Sequence, residues 1–204
     1  MSPRRAPVQR QLGARPVIGT AELAGRGHDL AHVYLGHGAA GSAASMHPHV
    51  SGLERRGIRA TAVQLPKRRA EDAVDAFRSQ VDGGRPLVVG GHSYGGRVAS
   101  LLAARGLDLA HGRRIAGLVL FSYPLHRPGA PDAVARSVHF PAIHCPVLLL
   151  SGESDPFARI DLLRQAVARL AAAELVTWPR LGHGLAPVLE DELDRVAEFV
   201  AALA

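Results

Sequence analysis

Cysteine is almost missing from this 204-residue chain: Cys145 stands alone. No disulfide can therefore form within it, and no cysteine-based zinc site can be built. Long apolar runs are missing as well, and none approaches the roughly 20 residues that a membrane-spanning helix requires. Lysine is reduced to Lys67 among 24 basic side chains. Such near-total use of arginine, beside abundant alanine, fits a coding bias toward G+C better than selection for phosphate contacts. No repeat of roughly 20–50 residues recurs, which excludes a solenoid or propeller, and no linker divides the chain.

What is present is apolar. Hydrophobic residues make up 47% and charged ones 21%, with a mean hydropathy of +0.06, which excludes a disordered chain. The length suits one domain of ordinary size. The balance of 24 basic against 18 acidic residues leaves +6. Residues 1–69 hold eleven basic and three acidic side chains, net +8, whereas residues 70–204 hold thirteen and fifteen, net −2. The excess is thus local, and no nucleic-acid partner is expected. At most it biases an open site toward anionic substrates. Arg4, Arg5, Arg10 and Arg15 precede no apolar segment of a targeting signal, and Pro3, Pro7 and Pro16 break any amphipathic helix. Residues 1–16 read as a flexible basic arm, residues 17–204 as one domain, and the expected compartment is the cytoplasm with no membrane association.

Beyond the arm, short apolar runs alternate with helical patterns. Strands are predicted at 31–35, 59–65, 86–90, 115–121, 147–150 and 175–178. Helices are predicted at 46–56, closed by Gly57, then at 71–81, 97–104, 160–170 and 187–203. Continuous apolar strands separated by helices indicate a mostly parallel, doubly wound α/β sheet covered on both faces. The longest irregular stretch, residues 122–146, carries five prolines and is too short for a substantial helical lid.

Gly91-His92-Ser93-Tyr94-Gly95 follows the third strand directly and opens a helix. In that setting G-x-S-x-G places a serine on a sharp strand-to-helix turn. Glycines at 91 and 95 avoid collisions with the neighbouring strand and helix. The turn holds Ser93 Oγ clear of the sheet and sets the Tyr94 N–H beside a reacting carbonyl, where the helix end favours an oxyanion. A serine hydroxyl needs a base oriented by a carboxylate, in the chain order serine, acid, histidine. His183, in a glycine-flanked loop after the last strand, is the candidate base. Asp155, in the turn after the fifth strand and fixed by Pro156, is the candidate acid, with Glu153 its rival in the same turn and Asp161 a third choice. Of the other histidines, His111, His126, His139 and His144 read as surface or structural, and His92 is expected to point away from the serine. The loop Gly36-His37-Gly38-Ala39-Ala40-Gly41 supplies the second oxyanion donor at Ala39 N–H, or at that of Ala40. Met46, Tyr94, Tyr123, Leu125 and Leu185 are the candidate substrate-lining residues.

His37-Gly-Ala-Ala-Gly41, Gly91-His-Ser-Tyr-Gly-Gly-Arg-Val-Ala-Ser100, Gly117-Leu-Val-Leu-Phe-Ser-Tyr-Pro-Leu-His126-Arg-Pro-Gly129 and Pro146-Val-Leu-Leu-Leu-Ser-Gly-Glu-Ser-Asp-Pro-Phe157 together resemble a small α/β-hydrolase-like family. That family comprises testis-expressed proteins, subunit 3 of the NSL histone acetyltransferase complex, and bacterial predicted hydrolases related to dienelactone hydrolases. The resemblance spans roughly residues 33–204, with Tyr-Pro-Leu-His at 123–126 its most specific piece. It implies an α/β-hydrolase fold with a minimal cap, a Ser93–Asp155–His183 triad, and no cofactor or metal. Gly-His-Ser stands here where relatives often carry Gly-Lys-Ser, and Arg97 reads as a buttress of the fold. Two functions compete on these residues: a serine hydrolase acting on a small ester, and a non-catalytic interaction module on the same scaffold. The oligomeric state has no signature in the sequence.

Overall fold

A computed structural model describes residues 31–83, 86–106, 114–130 and 134–203. The basic arm expected over residues 1–16, and the start of the domain up to residue 30, lie outside these. Six strands form one sheet in the order β2-β1-β3-β4-β5-β6, every neighbouring pair parallel. They are β1 (His32–Gly36), β2 (Arg59–Val63), β3 (Leu87–His92), β4 (Gly117–Phe121), β5 (Val147–Gly152) and β6 (Ala173–Trp178). All six runs read as strands in the sequence are strands.

The central strands are apolar throughout because both faces of the sheet are covered. Alternate side chains serve opposite layers, as the two-residue period of a strand requires. Val33 and Leu35 of β1, Val119 and Phe121 of β4, and Leu148 and Leu150 of β5 pack with α1 (His47–Glu54) and α6 (Leu189–Ala201). Tyr34, Leu118, Leu120, Val147 and Leu149 pack with α2 (Val74–Arg78), α3 (Tyr94–Ala104) and α5 (Ile160–Val167). Burial of a side chain of this size is worth about 1.5–3 kcal/mol, so two such layers account for much of the fold's stability. On the first of these faces α1 and α6 are tied together at the rim by Arg56 of the α1 turn, which reaches both Glu190 (2.9 Å) and Asp194 (2.7 Å) of α6. Gly57 adopts φ 74° just past α1, as its place after the helix foretold.

Three elements differ from their sequence reading. The helix expected at 46–56 opens as a 3-10 turn at Ala43–Met46 and becomes α-helical only at His47, with Pro48 in its first turn. The helix expected at 71–81 breaks at Ala73 (φ −99°, ψ −6°). Arg97 draws Glu71 away on one side, and the Gln80 amide closes the far end on Ala76 O (2.7 Å) and Gln64 O (2.9 Å). The helix expected from Arg97 starts three residues earlier, at Tyr94, because the serine turn feeds straight into it. Between β4 and β5 the described residues contain only α4 (Val134–Ser137) and a 3-10 turn at Phe140–Ala142, so the cap is minimal. No helix among the described residues is long and apolar enough to cross a membrane.

Candidate active site

Ser93 ends the turn between β3 and α3 with φ 51° and ψ −111°, a conformation that a side chain ordinarily avoids. Backbone packing holds it there. A Cβ at Gly91 would stand 2.3 Å from Gly36 O, and one at Gly95 would stand 2.1 Å from the same oxygen. The elbow is therefore pressed against the end of β1 at a distance that only glycine permits. On its other flank, Ser93 N–H donates to Phe121 O of β4 (2.8 Å). Tyr94 occupies the first position of α3, where a backbone N–H has no intrahelical acceptor.

Acid and base come from the adjacent strands β5 and β6. The turn after β5 and the loop after β6 are joined by backbone bonds from Glu153 N–H to Trp178 O (3.0 Å) and from Ser154 N–H to Leu181 O (2.8 Å). Asp155 is buried, and one carboxylate oxygen, Oδ1, accepts from Phe157 N–H (2.8 Å). Its other oxygen, Oδ2, lies 2.8 Å from His183 Nδ1. A carboxylate can only accept, so Nδ1 carries the proton and Nε2 is left as acceptor. That Nε2 lies 2.8 Å from Ser93 Oγ. Glu153 faces elsewhere, accepting from Thr177 Oγ1 (2.9 Å) and lying 3.6 Å from Arg164. Asp161 pairs with Arg159 on the exposed start of α5. Of the three acids weighed from the sequence, only Asp155 meets the histidine.

The loop after β1 closes the other side. Gly41 N–H donates to Gly38 O (3.0 Å), setting Ala39 at the tip of a tight turn. Buried His37 anchors that turn: Leu65 N–H donates to its Nε2 (3.0 Å), so its Nδ1 carries the proton and donates to Gly38 O (2.8 Å). Sequence reasoning passed over His37 because its partners lie in another loop, after β2.

A cavity of about 620 Å³ opens beside Ser93 and His183, lined by Ala39, Met46, Phe121, Phe157 and Leu185 among others. Met46 and Leu185 thus sit where substrate-lining residues were expected. Tyr123 and Leu125 do not. Both are buried in the layer on the α3 side, where the Tyr123 hydroxyl donates to Arg136 O (2.5 Å). The chain after β4 turns inward at Ser122 (φ 47°), which carries these side chains into the core rather than to the cavity.

His92 also departs from expectation. Its side chain lines the same cavity, its ring stands 5.3 Å from that of His183, and its Nε2–H donates to His183 O (3.2 Å). Burial holds it below the usual histidine range, so it is neutral at pH 7. It serves as a clamp on the histidine loop. Deeper in the cavity, Glu192 is 1% exposed and lies 3.0 Å from His49 Nε2. Burial pushes the Glu192 carboxyl up. Neither residue has a sequence signal, since α1 and α6 bring them together from opposite ends of the chain. Among the described residues no set of His, Cys, Asp and Glu converges as a metal site.

A family model described as an α/β-hydrolase domain matches residues 55–202, and the chain belongs to that family. Among curated proteins none matches. Solved structures with the same fold include a monoacylglycerol lipase of Paleococcus ferrophilus (14% identity, TM-score 0.71, covering 86% of this chain and 97% of that one). Est1E of Butyrivibrio proteoclasticus, solved with ferulic acid bound, is similar at 17% identity (TM-score 0.69, 86% and 90% covered). A dienelactone hydrolase of Anabaena variabilis is similar at 19% identity (TM-score 0.60, 87% and 86% covered). The fold is that of the α/β-hydrolases.

Proposed function

We propose that this protein is a serine hydrolase that cleaves small carboxylic esters through an acyl-enzyme, without a cofactor. The observation that carries the reading is the continuous hydrogen-bonded line from Asp155 through His183 to Ser93, closed by two distances of 2.8 Å. In this reading Ser93 Oγ attacks the ester carbonyl while His183 Nε2 takes its proton. Asp155 holds the imidazole in the required tautomer and stabilises the imidazolium. The N–H groups of Tyr94 and Ala39 donate to the tetrahedral oxyanion, each worth about 10²–10³ in rate. His183 then protonates the departing alkoxide, and water activated by the same nitrogen releases the acid. The minimal cap supports small, soluble acyl groups over long lipid chains. Within the α/β-hydrolase domain family, the Tyr-Pro-Leu-His stretch at 123–126 supports a place near the testis-expressed and NSL-subunit proteins.

The test is hydrolysis of short p-nitrophenyl esters by the wild type and by Ser93→Ala. Loss of activity by about 10⁴ or more is expected, together with labelling of the wild type alone by a fluorophosphonate. Equal rates, or an intact protein that never takes the label, would leave the scaffold as an interaction module.

A further inference from the structure

Ser93, Ala39 and Phe157 line a second cavity, of about 630 Å³, whose chemistry is unlike that of the first. Arg68, Arg69, Arg97, Arg127 and Arg136 face it, against the single carboxylate of Glu71. Glu71 is committed to Arg97 and, at 3.8 Å, to Arg69. Among the described residues Arg68, Arg127 and Arg136 have no ion pair. Arg97 was expected to buttress the fold, and one arm of its guanidinium does so through Glu71. The other, Nη1, is buried without a hydrogen-bond partner. Burial, with Arg97 and Arg127 close by, presses the Arg136 guanidinium below its ordinary range. Five arginines against one carboxylate leave a net positive surface beside Ser93, and the buried, unpartnered Nη1 of Arg97 is a donor that an anion would satisfy.

We propose that this cavity is a subsite for an anionic oxygen group of the substrate, a carboxylate or a phosphate, carried on the opposite side of the ester bond from the apolar part in the first cavity. The proposal rests on the serine-hydrolase reading for the place of the ester carbonyl, between the two cavities at Ser93. Guanidinium forks match such groups with paired, charge-assisted hydrogen bonds. The five arginines come from three separate stretches of the chain: the loop after β2, the first turn of α3, and the segment between β4 and β5.

Mono-p-nitrophenyl glutarate and p-nitrophenyl butyrate share a leaving group and differ in a terminal carboxylate. The wild type is expected to favour the glutarate ester in kcat/KM by about tenfold or more at low salt, since a hydrogen bond to a charged group is worth roughly that factor. The preference shrinks at about 1 M salt, where screening is strong. Arg68→Gln/Arg127→Gln, which alters two exposed side chains and spares the fold, is expected to reduce the preference about tenfold, and Arg136→Gln to do likewise. Turnover of the butyrate ester that depends on Ser93 but shows no preference, or a preference that survives both variants, overturns the subsite and leaves the hydrolase reading intact. Calorimetric titration with glutarate and with inorganic phosphate reads the subsite without catalysis and separates the two anions. Binding that weakens in the double variant sustains the subsite even where neither ester is cleaved, an outcome that removes the hydrolase reading instead. Failure of both anions to bind removes the subsite.

Discussion

The residues of the candidate site are positioned in different ways. Ser93 is fixed by backbone packed on backbone, with Gly91 and Gly95 against Gly36 O and no room for a methyl group. The Asp155 and His183 side chains are instead held by their hydrogen bond to each other, on loops that are themselves closely packed, since a Cβ at Gly152 would stand 2.2 Å from Leu181 O. The contrast teaches where damage will show. A change at the elbow costs stability first and activity as a consequence, whereas a change at the acid–base pair costs activity and leaves the fold standing.

The largest effect is expected on the hydrogen-bonded side. Asp155→Asn favours the wrong imidazole tautomer and should lower kcat by about 10⁴ with little change in melting temperature. A comparable fall in Tm would mean that the pair also supports the fold, and the contrast would fail. Gly95→Ala should do the reverse, destabilising by about 1–3 kcal/mol through overpacking, read as a Tm lowered by roughly 2–4 °C for each kcal/mol. An unchanged Tm would show that the elbow yields to the added methyl group. His92→Phe keeps the ring's bulk and removes its bond to His183 O. A drop in kcat of about tenfold at constant Tm is expected, because a positioning error at the base costs rate before affinity.

The smallest effect concerns pH. Burial, the largest cause in each case, lowers His32 and His139 to about 4 from 6.5. At pH 7 both are neutral in either state, so their burial goes unopposed by charging. As pH falls from about 6.5 toward 4 the unfolded chain binds protons that the folded one refuses, and stability declines across that window. His139→Gln should flatten the decline in a plot of Tm against pH. Both histidines lie away from the serine, so the kcat of residual native enzyme should not follow the same curve.

Much of the scaffold was legible because burial on both faces leaves a continuous apolar mark on the inner strands β1, β3, β4 and β5, while the partly exposed edge strands β2 and β6 carry a weaker one. Ser93, Asp155 and His183 were legible because each follows a strand end and carries its own local signal: flanking glycines, or a proline that fixes a turn. The remainder depends on contacts between distant segments. His92 was misread since its direction depends on the histidine loop 91 residues away. Glu192 looks like one more acid on the polar face of α6 until α1 covers it. Tyr123 and Leu125 follow a strand, as site residues often do, yet the turn at Ser122 sends them into the core. The described part of the basic first third is likewise divided by contacts between distant segments. Arg55 and Arg56 are neutralised by α6, while Arg68 and Arg69 join arginines from later in the chain beside Ser93.

The elbow also has a consequence for biosynthesis. On the ribosome Ser93 emerges 90 residues before His183. The strained turn can form as soon as β1, β3 and β4 associate, yet the hydroxyl then has no base, and β6 and its loop are still unmade. If Ser93 is the nucleophile proposed above, it is silent throughout synthesis and becomes reactive only when the last sixth of the polypeptide docks. On that reading, chains truncated before that point should carry the G-x-S-x-G motif without reactivity toward esters.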